Sequence, residues 1–231
     1  MAAIFNQLLG SHQSKAAGTS LVISPASKTV TVGRTVFVAF ACDDVGSAFG
    51  VTDNLTNTYS LVKEQINVGN VKTQLWSAPV TTGGSITSIT ISWTTNVTAK
   101  AGVAGEFSNF GSLSLSDGAS TSATTTIAIS NKSAAVGDLI VGAFGVEDNV
   151  KSDPASSGPW GTAAEAGNNG TSGGGSASNI FVTLGYILVT SAATSTYTGA
   201  NDGVQDGAGA GAIYNAASGG VTAADGASSG V

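Results

Sequence analysis

The chain has 231 residues, of which 42% are hydrophobic and only 10% charged, so it has enough apolar residues for a folded core, and this composition disfavours wholesale disorder. The formal net charge of −6 disfavours direct binding to the phosphate backbone of nucleic acids. The 32 glycines and four prolines indicate many tight turns, and the longest apolar runs are too short for a membrane span, which predicts no membrane contact.

Residues 1–17 are predicted to form an N-terminal arm. Ile4, Phe5, Leu8 and Leu9 would share one face of a short helix, and a helix of this length is not stable alone. We therefore expect these four side chains to dock on the chain's own body or on a neighbouring subunit, and they are the candidate partner-binding residues. The segment lacks the basic region and the sustained apolar core of a secretory signal, which predicts synthesis in the cytoplasm.

An internal echo is the strongest structural signal in the chain. Residues 32–44 are repeated imperfectly, but without a gap, as residues 136–148. Each copy consists of a turn, an apolar run of strand length and an acidic end. Runs of this kind suit buried strands. The echo therefore predicts an all-β fold with related strands in its two halves.

The segments around the echo also favour strands. Residues 71–76 and 86–93 alternate in polarity, as one face of a sheet requires, and residues 179–190 form the last strong strand. Residues 151–179 are predicted to be a long loop, or two loops around a short turn. Residues 199–231 are rich in Gly, Ala and Ser, so they are predicted to be a C-terminal extension that gains order along its own sandwich or a neighbouring subunit and acts as an assembly element.

The preferred architecture is a single jelly-roll-like antiparallel β-sandwich over residues 18–198, between the arm and the extension. Two tandem domains of immunoglobulin size are the alternative, because the two copies of the echo are about one such domain apart. The second half of the sequence shows no counterpart to the strands at 71–76 and 86–93, which favours the single sandwich.

The sequence contains no recognisable catalytic set. Its one histidine, His12, lies in the arm, and its one cysteine, Cys42, lies in the first echo strand, so neither a Ser-His-acid triad nor a Cys/His zinc site is indicated. Glu106 is the glutamate embedded in a strand-like segment, where a structural hydrogen bond is the favoured interpretation. The chain is therefore predicted not to be an enzyme and to need no organic cofactor.

Calcium is the one ligand that the pattern of acids favours. Asp43 and Asp44 end the first echo strand, and Asp148 follows the second. Calcium binds several carboxylate and carbonyl oxygens, so these three residues are a candidate site. Solvated acids at strand ends are the simpler alternative, since no EF-hand spacing is present.

Several short motifs, taken in order, resemble a known group of proteins. They are residues 32–41, 51–59, 75–78, 86–93, 105–108 and 136–141. In this order they are similar to β-sandwich structural proteins of tailed bacteriophages, of the capsid decoration (cement) type, and to sandwich modules of bacterial surface proteins. The similarity extends over residues 28–190.

The resemblance implies a structural protein of the virion. It would bind the major capsid protein or other virion proteins, and it would form homo-oligomers. A tail or fibre component is a variant of the same idea. The alternative is a cell-surface adhesive or carbohydrate-binding module, which would use exposed aromatic side chains, with Trp160 and Tyr197 as the candidates.

Overall fold

The computed structural model describes residues 2–218, and these residues form sixteen β-strands with no α-helix. All strand pairs are antiparallel. The prediction of an all-β, antiparallel sandwich is therefore confirmed. Over the same residues, the structure has no helix with the length and apolarity to cross a membrane.

The first half of the chain, which we call unit 1, comprises ten strands. They are β1 (Ile4–Ser14), β2 (Gly18–Ile23), β3 (Lys28–Val30), β4 (Thr35–Asp43), β5 (Phe49–Asp53), β6 (Ser60–Asn67), β7 (Val71–Pro79), β8 (Gly84–Ile86), β9 (Ile89–Val97) and β10 (Lys100–Ser108).

The second half, unit 2, has six strands, two of them very long. They are β11 (Phe110–Ala134), β12 (Leu139–Val146), β13 (Ser152–Ser156), β14 (Ala163–Gly170), β15 (Phe181–Leu188) and β16 (Ala193–Ala216). A short 3₁₀ turn (Ser176–Ser178) lies between β14 and β15.

The two units repeat one topology. The main sheet of unit 1 has the order β1-β10-β4-β7-β6, and that of unit 2 has the order β11-β16-β12-β15-β14. In unit 1 a small sheet, β2-β9-β5, forms the second layer. In unit 2 the strands β11 and β16 are long enough to continue from the main sheet into the second layer, where their far ends pair with each other. β13 pairs with β16 there as the third strand of this layer.

The echo strands β4 and β12 occupy equivalent central positions, and the turns before them are alike. Gly33 has a φ of 85° and Gly137 a φ of 92°, a left-handed conformation that glycine adopts without steric cost. The amide of Gly33 donates to the Val80 carbonyl at 3.0 Å, and that of Gly137 donates to the Val189 carbonyl at 2.8 Å. The echo in the sequence is therefore a true structural repeat.

The two main sheets share one core, which we call the shared core. Alternate residues of β4 and of β12 project into it: Phe37, Ala39 and Ala41 from the first strand, and Leu139, Val141 and Ala143 from the second. The intervening residues project the other way. Phe40 belongs to the core inside unit 1, and Phe144 belongs to the core inside unit 2.

The structure therefore combines features of a single sandwich with features of two separate units. Each unit has its own inner core, and the shared core joins the units face to face. Because both echo strands are buried on both faces, they read as continuous apolar runs rather than as alternating ones.

The prediction of a short helix in the arm is wrong. Residues 4–14 are strand β1, which pairs with β10 at the edge of the main sheet of unit 1. Two β-bulges interrupt the register, between Phe5 and Gln7 and between Leu8 and Gly10. Bulges break the regular alternation of a strand, which explains why the apolar positions imitate a helical stripe. Met1 lies outside the described residues.

The predicted extension is also part of the sandwich. Its residues 199–216 belong to β16, which lies between β11 and β12; residues 219–231 lie outside the described range. Ala208, Ala210 and Ala212 face the shared core. The intervening glycines face the inner core of unit 2, where a Cβ on Gly209 would lie 2.8 Å from Ile127 Cγ2. The alternation of Gly and Ala thus follows the two-residue period of a β-strand.

Unit 2 does contain counterparts to the strands at residues 71–76 and 86–93, but their side chains differ from those of unit 1. β15 corresponds to β7, and Gly185 pairs with Gly142 where unit 1 pairs Trp76 with Val38. Tyr197 covers both glycines: a Cβ on Gly142 would lie 2.5 Å from its Cε1, and one on Gly185 would lie 2.6 Å from its hydroxyl. In unit 1 the large side chain at this place belongs to the main sheet, whereas in unit 2 it belongs to the second layer. The two halves of the sequence therefore show no similarity at this position.

We predict that Phe40→Ala and Phe144→Ala each destabilise the chain by about 3–5 kcal/mol, because each truncates a fully buried phenylalanine. Calorimetry should show one unfolding transition in both variants, because the shared core couples the units. Val68→Ala, at a position that is 84% exposed, is the control. Two separate transitions would contradict a single cooperative fold.

Candidate functional site

The outer strand β1 contains all four predicted partner-binding residues, and the structure divides them into two pairs. Leu9 is 2% exposed and packs in the inner core of unit 1. Phe5 packs against the shared core, with its ring 5.0 Å from Phe107. Ile4 and Leu8 are 44% and 38% exposed. Ile4 and Leu8 are therefore the two residues of the set that a partner could contact.

The acidic ends of the echo strands meet at a cleft between the two units. Its volume is about 380 Å³, and Asp43, Asp44 and Glu147 contribute to its walls together with Lys15 and Asn70. Turns from both units converge here because β4 and β12 are equivalent strands of two facing sheets. The sequence predicted acids at both strand ends, but it did not predict that Glu147, rather than Asp148, would face the cleft.

Backbone amides and one lysine hold the cleft walls. Ala99 N donates to Asp43 Oδ2 at 3.1 Å, and Gly69 N donates to Asp44 Oδ2 at 3.2 Å. Lys15 Nζ donates to the Gly173 carbonyl at 2.6 Å, so it ties the turn after β1 to unit 2. These contacts are structural, because each polar group already has a partner within the chain.

Burial dominates the electrostatics of the cleft. It raises the pKa of Asp43. It also raises the pKa of Glu147, with smaller contributions from the negative charges of Asp206 and Asp43. Lys100, whose ammonium donates to the Ala16 and Val97 carbonyls, partly offsets the effect at Asp43. Burial lowers the pKa of Lys100 itself.

The three predicted calcium ligands do not form one site. Asp148 is 8% exposed and accepts a hydrogen bond from the amide of Asn149, and it is not among the residues that line the cleft. Among the side chains that the structure describes, which do not include that of Asp202, no three His, Cys, Asp or Glu residues are grouped closely enough to hold a metal ion. Calcium binding at Asp43 and Asp44 stays a prediction. Asp148 would not supply a third carboxylate to that site.

Glu106 is a structural residue, as its position in a strand indicated. Its fully buried carboxylate accepts hydrogen bonds from Arg34 Nη1 at 3.0 Å and Gln7 Nε2 at 2.9 Å through Oε2, and from Thr31 N at 2.8 Å through Oε1. The charge is thus paired and fully hydrogen-bonded, which is what makes its burial tolerable. The network joins β1, the turn before β4, and β10.

Cys42 and the two candidate aromatic residues are buried. Cys42 is fully buried, and its burial raises the pKa of the thiol, so the reactive thiolate is strongly disfavoured. Trp160 and Tyr197 are 0% and 2% exposed, and Trp160 Nε1 donates to the Ala193 carbonyl at 2.8 Å. The expectation that these two aromatic side chains are exposed for glycan binding is wrong, because they fill the inner core of unit 2.

No protein-family model, curated protein sequence or solved structure matches this chain.

We predict that Glu106→Ala costs about 3 kcal/mol of stability, because it leaves buried donors without an acceptor. Glu106→Gln, which keeps the shape and one acceptor oxygen, should cost less. Chemical denaturation measures both variants, with Asp153→Ala at an exposed ion pair as a control that should change stability by less than about 1 kcal/mol. Equal stability of Glu106→Ala and the wild type would contradict the network.

We predict that the stability contributed by Asp43 and Glu147 falls as the pH rises. Both pKa values are raised in the folded state, so this contribution is fully present below the unfolded-state pKa values and is lost as the pH rises through the folded-state values. Urea denaturation between about pH 3 and pH 8 should therefore show a smaller decline for the double variant Asp43→Asn/Glu147→Gln.

Thr98→Ser is the matched control for this experiment, because Thr98 lines the same cleft without titrating. Its pH profile should be parallel to that of the wild type. If the double variant gives the same profile as Thr98→Ser, the two carboxyl groups do not titrate as stated.

Proposed function

We propose that the protein is a non-enzymatic structural component of a phage virion, acting as a capsid decoration protein that binds neighbouring subunits through the outer edge of β1. The main support is the exposure of Ile4 and Leu8 on a strand that ends its sheet. An edge strand has one row of backbone donors and acceptors free to pair with another chain.

The composition of β1 also supports this role. Proteins commonly protect exposed edge strands with charged residues or proline, but β1 (Ile4–Ser14) contains no Asp, Glu, Lys, Arg or Pro in its eleven residues. Its bulges limit the pairing to short stretches of regular strand. A defined partner strand can pair there, while indiscriminate stacking is restricted.

Charge distribution favours the same surface. The first 42 residues contain three basic residues and no acidic ones, whereas the remaining chain contains five basic and 14 acidic residues, a net of 5 − 14 = −9. The segment that includes β1 is therefore the least acidic part of the chain. Acidic subunits, including further copies of this chain, can approach it without strong like-charge repulsion.

The remaining polar chemistry of the molecule supports a structural role. Glu106, Lys15 and Lys100 are each hydrogen-bonded to groups of the same chain, so they brace the fold rather than face a substrate. Trp160 and Tyr197, the two aromatic candidates for glycan binding in the adhesive alternative, are buried in the core. A tail or fibre position differs from the proposal in location but uses the same kind of contact.

The test is the copy number of the protein in virions assembled from the genome that encodes it. Quantitative mass spectrometry should find many copies per head, and immunogold labelling should place them on the capsid. Labelling on the tail would favour the tail or fibre component. Absence from purified virions, with glycan binding by the isolated monomer, would contradict the proposal and favour the adhesive module.

We predict that the double variant Ile4→Ser/Leu8→Ser lowers occupancy on the capsid at least about tenfold, because it removes the apolar contact of the outer edge. Its melting temperature should stay near that of the wild type, since both side chains are substantially exposed. Val68→Ser, on the β6–β7 turn, is the control and should bind normally. Full occupancy of the Ile4/Leu8 variant would show that β1 is not the contact.

A further inference from the structure

The two units are joined by a single residue. β10 ends at Ser108 and β11 begins at Phe110, so Asn109 alone connects them. Its φ is 60°, in the left-handed region that L-residues other than glycine seldom adopt, although asparagine tolerates it best. The chain reverses from one main sheet to the other at this one position.

The two units are in contact through a continuous buried apolar core. The shared core contains fully buried side chains from both main sheets, including Phe37 and Phe107 of unit 1 and Val141 and Leu184 of unit 2. Tyr214 of β16 lies 5.2 Å, ring to ring, from Phe37. Separation of the units would expose this apolar surface to water, so each unit needs a partner for the face that it presents.

The contacts at the rim repeat around an approximate two-fold axis. The outer strand of unit 1, β1, contacts β14 of unit 2: Asn169 Nδ2 donates to Ser11 Oγ at 3.0 Å. Reciprocally, β6 of unit 1 contacts β11 of unit 2: Asn67 Nδ2 donates to the Thr121 carbonyl at 2.7 Å. The interface therefore resembles that of an isologous dimer in which both subunits belong to one chain.

We propose that the chain forms a domain-swapped dimer with a second copy of itself, in which unit 1 of each copy packs on unit 2 of the other through the shared core. Every contact of the shared core and its rim is regained between chains, and only the conformation at Asn109 changes. Exchange of identical elements is a low-cost route to dimers, and short strained connections promote it. This proposal is independent of the function proposed above.

The hinge residue determines the balance between the closed monomer and the swapped dimer. A closed monomer needs a positive φ at position 109, whereas an open hinge can adopt the extended backbone of the strands on either side. Asn109→Gly removes the steric cost of the closed form. Asn109→Val increases it, because a β-branched residue is a genuine outlier at positive φ.

A disulfide reporter distinguishes a swapped dimer from any other dimer. Ser11 and Asn169 belong to different units and are in contact, so Ser11→Cys and Asn169→Cys, with Cys42→Ala to remove the native thiol, place one cysteine on each side of the interface. Oxidation links one chain to itself in a closed monomer. In a swapped dimer it links two chains, which non-reducing gel electrophoresis separates from the monomer.

The experiment refolds the full chain at high concentration and measures the dimer fraction by size-exclusion chromatography with light scattering. We expect the dimerisation constant of Asn109→Val to exceed that of Asn109→Gly by about 30- to 1,000-fold, because two hinges change in each dimer. The wild type should lie between them. Oxidised dimers of the reporter should contain disulfides between chains.

Equal dimer fractions for the two hinge variants would overturn the proposal, and so would dimers whose reporter disulfides all lie within single chains. Should Asn109→Val fail to fold, insertion of four Gly/Ser residues after Asn109 provides the second comparison. The longer connection relaxes the hinge and should lower the dimer fraction below that of the wild type. A dimer fraction unchanged by the insertion would also overturn it.

Discussion

Apolar packing between two facing sheets is the constraint on which the rest of the structure depends. β4 and β12 each project one set of residues into the shared core and the alternate set into the inner core of their own unit. A backbone shift in either strand would therefore disturb two cores at once. Close packing of this kind transmits small changes in volume, so the alanines along β16 and β4 fix the distance between the sheets as much as the large residues do.

The sequence predicted the parts of the fold that repeat a clear period. The echo at residues 32–44 and 136–148 identified both central strands, because each is buried on both faces and follows the same glycine turn. It did not reveal the repeat elsewhere, because Tyr197 in the upper layer replaces the bulk that Trp76 supplies within the sheet of unit 1. Equivalent space is filled from different directions, which a linear comparison of residues cannot detect.

The errors at both ends of the chain have local causes. Two bulges in β1 place apolar residues at a spacing typical of a helix, and glycine in β16 hides a strand period within a composition typical of flexible chains. At the cleft, the acidic ends of the echo strands were visible in the sequence. Which acid faces inward depends on how the chain leaves β12, and this is a property of tertiary packing rather than of residue type.

The glycines of β16 also limit how the gene can change. Gly207, Gly209 and Gly211 all lie where a Cβ would come within 2.9 Å of Ile127 or Ile129, so no other residue fits without rearrangement. Any substitution in the first two bases of a glycine codon replaces the amino acid. The part of β16 whose composition is typical of a flexible chain is therefore constrained by close packing, and a mutation at any of these three glycines requires Ile127 or Ile129 to move.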